Sequence, residues 1–443
     1  MAYRDNHREE NPSVNGKNVS LNMNVRGLKP SATLAINERS NKLLSEGRRI
    51  FKLGLGQSPF PVPDSVVNTL RNHAHEKDYL PVKGLHELRE AVADFHRRKD
   101  HINASAEGVL IGPGSKELMF LLQLVYYGEI LLPTPCWVSY GPQAKIIGRN
   151  VQLIHTTFEE SWRITAESLR RYLEKENDTY RPRLLILNYP GNPDGDTYSM
   201  EELQELAEAA REYEIILLSD EIYGQLNHRG GHFSIARFYP EGTIISSGLS
   251  KWCGAGGWRL GTFTFPKTLS WLLDAMAAVA SETFTSVSAP IQYAAVKAFR
   301  GGPDIESYLS HARRILRLIG LRCASILQDA NIRVHDPRGA FYLFIDFEPL
   351  REALERRDIH GSRDLCERLL TETGVAILPG ADFERPIDEL SARLAYVNFD
   401  GAQALAASRE IPIDHELPDS FLDIHAASTI EAMQRIAGWA AEQ

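Results

Sequence analysis

The rhythm of hydrophobic and polar positions changes several times along this chain. Residues 1–27 are rich in Asn, Arg, Glu and Ser with little apolar periodicity, which predicts a flexible N-terminal arm. From Leu28 to Glu46 apolar residues recur at helical spacing (Leu34, Ile36, Leu43, Leu44), and FKLGLGQSPFPVP then reads as a short strand entering a Gly/Pro loop. Between about 64 and 300, amphipathic helices alternate with short apolar strands: SKELMFLLQLVYY precedes EILLP, MEELQELAEAAREYE precedes IILLSD, and GTIISSG precedes GTFTF. Buried apolar runs alternating with helices predict a mostly parallel sheet covered on both faces, with ligands expected beyond the carboxyl ends of its strands.

A long helix is expected at about 303–329, and the texture then changes. RGAFYLFIDF, GVAILPG and SARLAYVNF read as strands, GSRDLCERLLTET as a helix, and a closing helix begins near Ser428. The prediction is therefore an α/β protein: a large domain with a mostly parallel sheet sandwiched by helices, plus a smaller α+β domain. The expected division is an arm at 1–27, the N-terminal part of the small domain at 28–63, the large domain at 64–310 and the C-terminal part of the small domain at 311–443. Residues 401–427 read as an irregular loop.

Composition narrows the class. With 443 residues and 43% hydrophobic content, the chain can build sizeable cores. A net charge of -9 offers no basic field for nucleic acid or an anionic membrane and favours small-molecule chemistry. The cysteines Cys136, Cys253, Cys323 and Cys366 are far apart, with no spacing that suggests a metal or redox site. The N-terminus lacks the apolar core of a secretory signal, and no run approaches the roughly 18 apolar residues of a membrane span. A cytoplasmic location is expected.

Several polar residues fall at the predicted strand ends. Gly114, Ser115 and Lys116 in IGPGSKE open a helix, where free amides suit an anion or simply form a cap. Asp220 ends an apolar strand in LLSDEIYG, placed either to pair with a ligand cation or to cap a helix after the strand, with the Tyr223 phenol beside it. Asn192 lies on the Pro-Gly loop of LNYPGNPDG, and Trp137 leaves a Pro-rich turn in PTPCWVSY as a stacking ring or a core residue. Arg393, inside the apolar strand SARLAYV, needs a buried anionic partner, from the protein or from a substrate carboxylate. Lys251 sits among small residues in SSGLSKWCGAGGWRLG, followed by Arg259. An amine, an anion site, a carboxylate, a phenol, an amide, a flat ring and a guanidinium together match the needs of pyridoxal 5'-phosphate.

The stretch from Gly248 to Gly261 is similar to the lysine signature of the class I pyridoxal-phosphate aminotransferases of fold type I. The resemblance extends from about Lys29 to Phe399 through KPSATLAINE, LGLGQSPF, YLPVKGLHELREAV, GPGSKELMFLL, PCWVSY, NYPGNPDG, SDEIYG, GAFYLFIDF and GVAILPGADF, and looks closest to the aspartate/aromatic subgroup. It implies that Lys251 forms the Schiff base with the cofactor and that Asp220 pairs with the ring nitrogen. Tyr223 and Asn192 would contact the ring oxygen, and Trp137 would stack on the ring. Gly114, Ser115, Lys116, Ser250 and Arg259 fall in the phosphate-contacting region, to which the family adds a tyrosine from the partner subunit, here Tyr79. Arg393 and the Gly56 backbone would hold the substrate carboxylate. The implied protein is a homodimeric aminotransferase acting on an amino acid and a 2-oxo acid, without a metal. A lyase or oxidase reaction on the same scaffold is the alternative, and a cofactor-binding regulator is disfavoured because the reactive residues are all present. Three features depart from the pattern: Gly191 and Asp194 stand where many relatives have Asn and Thr, Gly248 stands where some relatives place a phosphate-binding Ser, and Thr268 to Val296 contains no Lys, Arg or His, against a partner-supplied arginine for a distal carboxylate.

Overall fold

The computed structural model describes residues 20–28, 30–176 and 181–442, together with two short strands at 13–14 and 17–18. Most of the predicted N-terminal arm therefore lies outside the described residues; its last part holds a short 3-10 turn at Met23–Val25, capped by the Asn22 side chain. The helix expected from Leu28 to Glu46 forms as α1, Ala32–Ser45.

Seven strands make the central sheet: β1 (Val109–Gly112), β2 (Glu129–Thr134), β3 (Val151–His155), β4 (Arg183–Asn188), β5 (Ile216–Asp220), β6 (Thr243–Gly248) and β7 (Gly261–Thr264). Their order is β1-β7-β6-β5-β4-β2-β3, and β7 alone runs antiparallel to its neighbours. Alternation along the strands divides the core. Leu184, Ile186 and Leu218 pack on one side with Leu118 and Leu122 of α2 (Ser115–Val125). Leu185, Leu187 and Leu217 pack on the other with Leu203 and Leu206 of α4 (Met200–Glu212); α3 (Tyr140–Ile146) lies between these helices in sequence. A period of two on buried strands thus sends every second residue to a different helical layer.

α5 runs unbroken from Pro303 to Asp329. Beyond it, β8 (Tyr342–Asp346), β9 (Leu378–Pro379) and β10 (Ser391–Ala395) form a second, antiparallel sheet in the order β8-β10-β9. The apolar run GVAILPG is divided between two sheets: Val375–Ala376 pairs in parallel with Phe51–Lys52, and only Leu378–Pro379 joins β10.

The irregular loop expected over 401–427 is corrected by the structure. Gly401–Arg409 is a helix, α6, and Ser420–His425 is a second, α7, leading into α8 (Ala427–Ala441). Asp400 caps α6 by accepting from the amides of Ala402 and Gln403, and buried Ala404, Leu405 and Ser408 turn one face of α6 inward. Among the described residues no helix is long and apolar enough to cross a membrane, and no cluster of His, Cys, Asp and Glu has the makings of a metal site.

Candidate active site

The predicted residues gather where the chain leaves the sheet. β1 ends at Gly112, β2 at Thr134, β4 at Asn188, β5 at Asp220 and β6 at Gly248, so the turns after them bring Ser115, Trp137, Asn192, Tyr223 and Lys251 to one edge. Arg259 reaches the same edge because antiparallel β7 begins there, Gly261 opposite both Gly112 and Gly248. Gly248 has no room for a side chain, since an added Cβ would lie 2.7 Å from the Leu260 carbonyl oxygen.

Asp220 is buried and held from two sides. The Tyr140 hydroxyl donates to Oδ2 at 2.7 Å, and the Ser246 hydroxyl donates to Oδ1 at 3.2 Å. Burial nevertheless raises its carboxyl to about 6, with those hydrogen bonds opposing. Lys251 donates from Nζ to the Gly56 carbonyl at 2.7 Å and lies 5.4 Å from the Tyr223 ring centroid. Its amine is lowered to about 8, chiefly by burial and then by the Arg393 charge, while Asp220 pulls the other way. Such an amine has a far larger neutral fraction near neutral pH than an ordinary lysine, which favours it as a nucleophile and base.

Arg393 is fully buried and makes no ion pair among the described residues. It donates from Nη1 to Asn192 Oδ1 at 3.1 Å and from Nη2 to the Gly54 carbonyl, its Nε has no partner among the described residues, and its guanidinium lies over the Tyr342 and Phe383 rings at 4.8 and 5.1 Å. Tyr223 and Tyr342 join their hydroxyls at 2.8 Å. Gly56 is a glycine because the Tyr342 hydroxyl occupies the space of a Cβ.

At the start of α2, the amides of Ser115 and Lys116 have no acceptor among the described residues. Gly114 has φ +95°, and the Arg259 guanidinium fills the place its Cβ would take. Arg259, itself left-handed at φ 54°, donates to the carbonyls of Gly256 at 2.9 Å and Pro113 at 3.4 Å. Lys116 Nζ lies 5.0 Å from the Trp137 ring centroid, and Trp137 meets Tyr140 edge-on at 5.3 Å. Part-exposed Ser250 precedes Lys251 and makes no side-chain hydrogen bond among the described residues. Tyr79 stands apart, 90% exposed.

The departures at 191 and 194 are coupled. The Asp194 carboxylate accepts from the Asp196 amide at 2.6 Å and occupies the space a Gly191 side chain would need. Sequence reasoning missed Tyr140 and Ser246 as supports of Asp220, and Tyr342. Ser246 carried a signal, a polar residue inside an apolar strand and in register with Asp220. Tyr342, in an apolar strand, reads as core.

The arrangement fits pyridoxal 5'-phosphate on its charges alone. Lys116, Arg259 and Arg393 carry positive charge without an ion pair among the described residues, which asks for an anion near α2 and another near β10. Asp220 is a buried carboxylate with no cation in hydrogen-bond contact, suited to a protonated ring nitrogen. Fold and site together have the charges of an enzyme that works with an anionic cofactor around one reactive amine.

Comparison with known proteins agrees. The family model "Aminotransferase class I and II" matches residues 48–403. Aspartate aminotransferase of Bacillus sp. (strain YM-2) is 31% identical over 372 residues, 82% of this chain and 91% of the relative. Aspartate/prephenate aminotransferase of Thermus thermophilus is 33% identical over 368 residues, again 82% and 91%. Among solved structures, aspartate aminotransferase from Thermus thermophilus with maleate superimposes with a TM-score of 0.78 at 31% identity, covering 88% of this chain and 98% of that one. The chain belongs to the class I and II aminotransferase family, and it is a pyridoxal-phosphate-dependent amino acid aminotransferase.

Proposed function

We propose that this protein moves the α-amino group of an L-amino acid to a 2-oxo acid at Lys251, with pyridoxal 5'-phosphate as cofactor, as a cytoplasmic homodimer. The observation that carries the reading is the Lys251 amine, lowered to about 8, beside one buried carboxylate and three cations, Lys116, Arg259 and Arg393, that have no acidic partner among the described residues. Ser115, Lys116, Ser250 and Arg259, opened by Gly114, would hold the phosphate, and Asp220 the ring nitrogen, with Trp137 against the ring face. Asn192 and Tyr223 would meet the ring oxygen. When bound, the cofactor supplies an aldehyde that exchanges amines and a ring that accepts electrons from the substrate α-carbon.

The protein's own groups do the rest. Arg393 fixes the carboxylate that donor and acceptor share, with the Gly56 backbone beside it, so one pocket serves both substrates. Lys251, held at the Gly56 carbonyl, is placed to take the α-proton and to return it elsewhere. Asp220 keeps a proton at the ring nitrogen, and Tyr140 and Ser246 keep Asp220 in place. The cofactor-holding groups fall within 64–310 and the clamp within 311–443, which supports a division into a large and a small domain. Exposed Tyr79 supports a site completed by Tyr79 of the partner subunit.

Amino donors, aspartate included, are to be assayed against pyruvate, 2-oxoglutarate and oxaloacetate. The reading expects the aminated acceptor as product and no turnover by Lys251→Ala. Ammonia or peroxide in place of an aminated acceptor sinks it.

A further inference from the structure

Beside the clamp lies a groove of about 1470 Å³, walled by Ser31, which precedes α1, by Ile36 of α1, by Val138 and Gly141, and by Leu378 and Glu384. Leu378 ties it to the site. It is the residue directly opposite Arg393 in the β9–β10 pair, and residues directly opposite in an antiparallel pair project to the same face. Phe383, whose ring lies 5.1 Å from the Arg393 guanidinium, is the residue before Glu384, and its carbonyl accepts from the Cys136 amide at 3.0 Å in the segment that carries Trp137. The groove thus adjoins the strand pair that carries Arg393 through Leu378 and Glu384, and the start of α2 through Lys116.

Glu384 is unusual there in three ways. Its backbone is left-handed, φ 62°, a conformation a residue with a side chain adopts at a cost. Its carboxylate lies over Gly141, and Oε1 takes the space that a Cβ at 141 would fill. It makes no hydrogen bond or ion pair among the described residues, whereas its neighbour Asp382 is matched by Arg363 at 2.7 Å. Burial and the Asp382 charge both raise its pKa, and no cation is among the causes. A part-buried carboxylate, given room by a glycine and left without a counter-charge, is a group whose partner comes from outside.

We propose that Glu384 determines the substrate class: it selects amino donors whose side chain ends in a cation, an ammonium or a guanidinium, and disfavours dicarboxylic donors. This rests on the transaminase reading above. The α-carboxylate binds Arg393, and the distal cation binds Glu384 across the groove. Lys116, Lys145 and Arg149, which also border the groove without an ion pair among the described residues, are the groups that would draw a distal carboxylate instead.

The test uses the holoenzyme with lysine, arginine, norleucine and aspartate as donors, and Glu384→Gln as a variant of nearly unchanged shape. The wild type is expected to favour lysine or arginine over norleucine by about tenfold or more in kcat/KM, the scale of one hydrogen-bonded charge pair. Glu384→Gln is expected to erase that preference while leaving norleucine turnover within about twofold. Binding separates recognition from turnover: by calorimetry on the cofactor-free protein, 6-aminohexanoate is expected to bind the wild type more tightly than hexanoate, and Glu384→Gln to bind both alike. A wild type that prefers aspartate or norleucine, or a preference that survives Glu384→Gln, overturns the proposal and leaves transamination standing. If no donor of the four is converted to its 2-oxo acid, the transaminase reading fails first.

Discussion

At the residue scale, the site is a problem of charge held out of water. Asp220 is 4% exposed with a carboxyl raised from 3.8 to about 6, so the native protein binds a proton there over a range in which the unfolded chain has lost it. Stability of the cofactor-free protein therefore falls as pH rises from about 4 to about 6, and the deficit persists above, on the order of 3 kcal/mol for two pKa units. Asp220→Asn removes the charge and keeps one carbonyl acceptor, while its NH2 can donate to the oxygen of the other hydroxyl, so Tyr140 and Ser246 both retain a partner. In urea unfolding of the cofactor-free protein, that variant is expected to gain stability over wild type at pH 7 and to lose the gain near pH 4; an equal difference at both pH values contradicts the assignment. Lys251, Asp220 and Arg393 were legible in the sequence because charged residues in small or apolar surroundings demand a partner. Tyr342 was not, because its role comes from a hydroxyl meeting Tyr223 across 119 positions of chain, which no local pattern encodes.

At the element scale, the turn after β4 shows how substitutions travel together. Gly191 leaves the space that Asp194 uses, and Gly191 in turn donates its amide to the Asp196 carbonyl at 2.8 Å. Gly191→Asn alone is expected to cost about 1–3 kcal/mol in urea unfolding, the scale of overpacking. Adding Asp194→Thr is expected to recover most of it, giving a coupling of about 0.5–3 kcal/mol. Additive effects would show that the two positions do not share the space. The sheet was legible because buried strands and amphipathic helices have different periods. α6 was not, although its signals were present in Asp400 as a cap and in Ala404, Leu405 and Ser408 on one face. A nine-residue helix is too short to outweigh the polar residues after it.

At the scale of the whole molecule, two sheets meet around one amine, and a single core cluster joins Val109 and Ala294 to Phe341 and Leu394. Arg393 on β10 and Lys251 after β6 are thereby held in one frame. The proposed dimer adds a test. If each site takes Lys251 from one chain and Tyr79 from the other, a heterodimer of Lys251→Ala and Tyr79→Ala chains has one intact site. Refolding the two variants together is expected to restore about a quarter of wild-type activity, from half the dimers carrying half their sites. No recovery above the sum of the separate variants contradicts a shared site. Nothing in the sequence spoke to this beyond the resemblance, since an exposed tyrosine on a loop has no pattern of its own.

The most direct test of the central claim is a single half-reaction. Holoprotein mixed with a reactive amino donor and no acceptor is expected to yield one equivalent of 2-oxo acid per chain and then stop, with the amino group retained on the protein and no ammonia released. A 2-oxo acid that keeps accumulating beyond one equivalent, with ammonia beside it, would contradict transamination at Lys251.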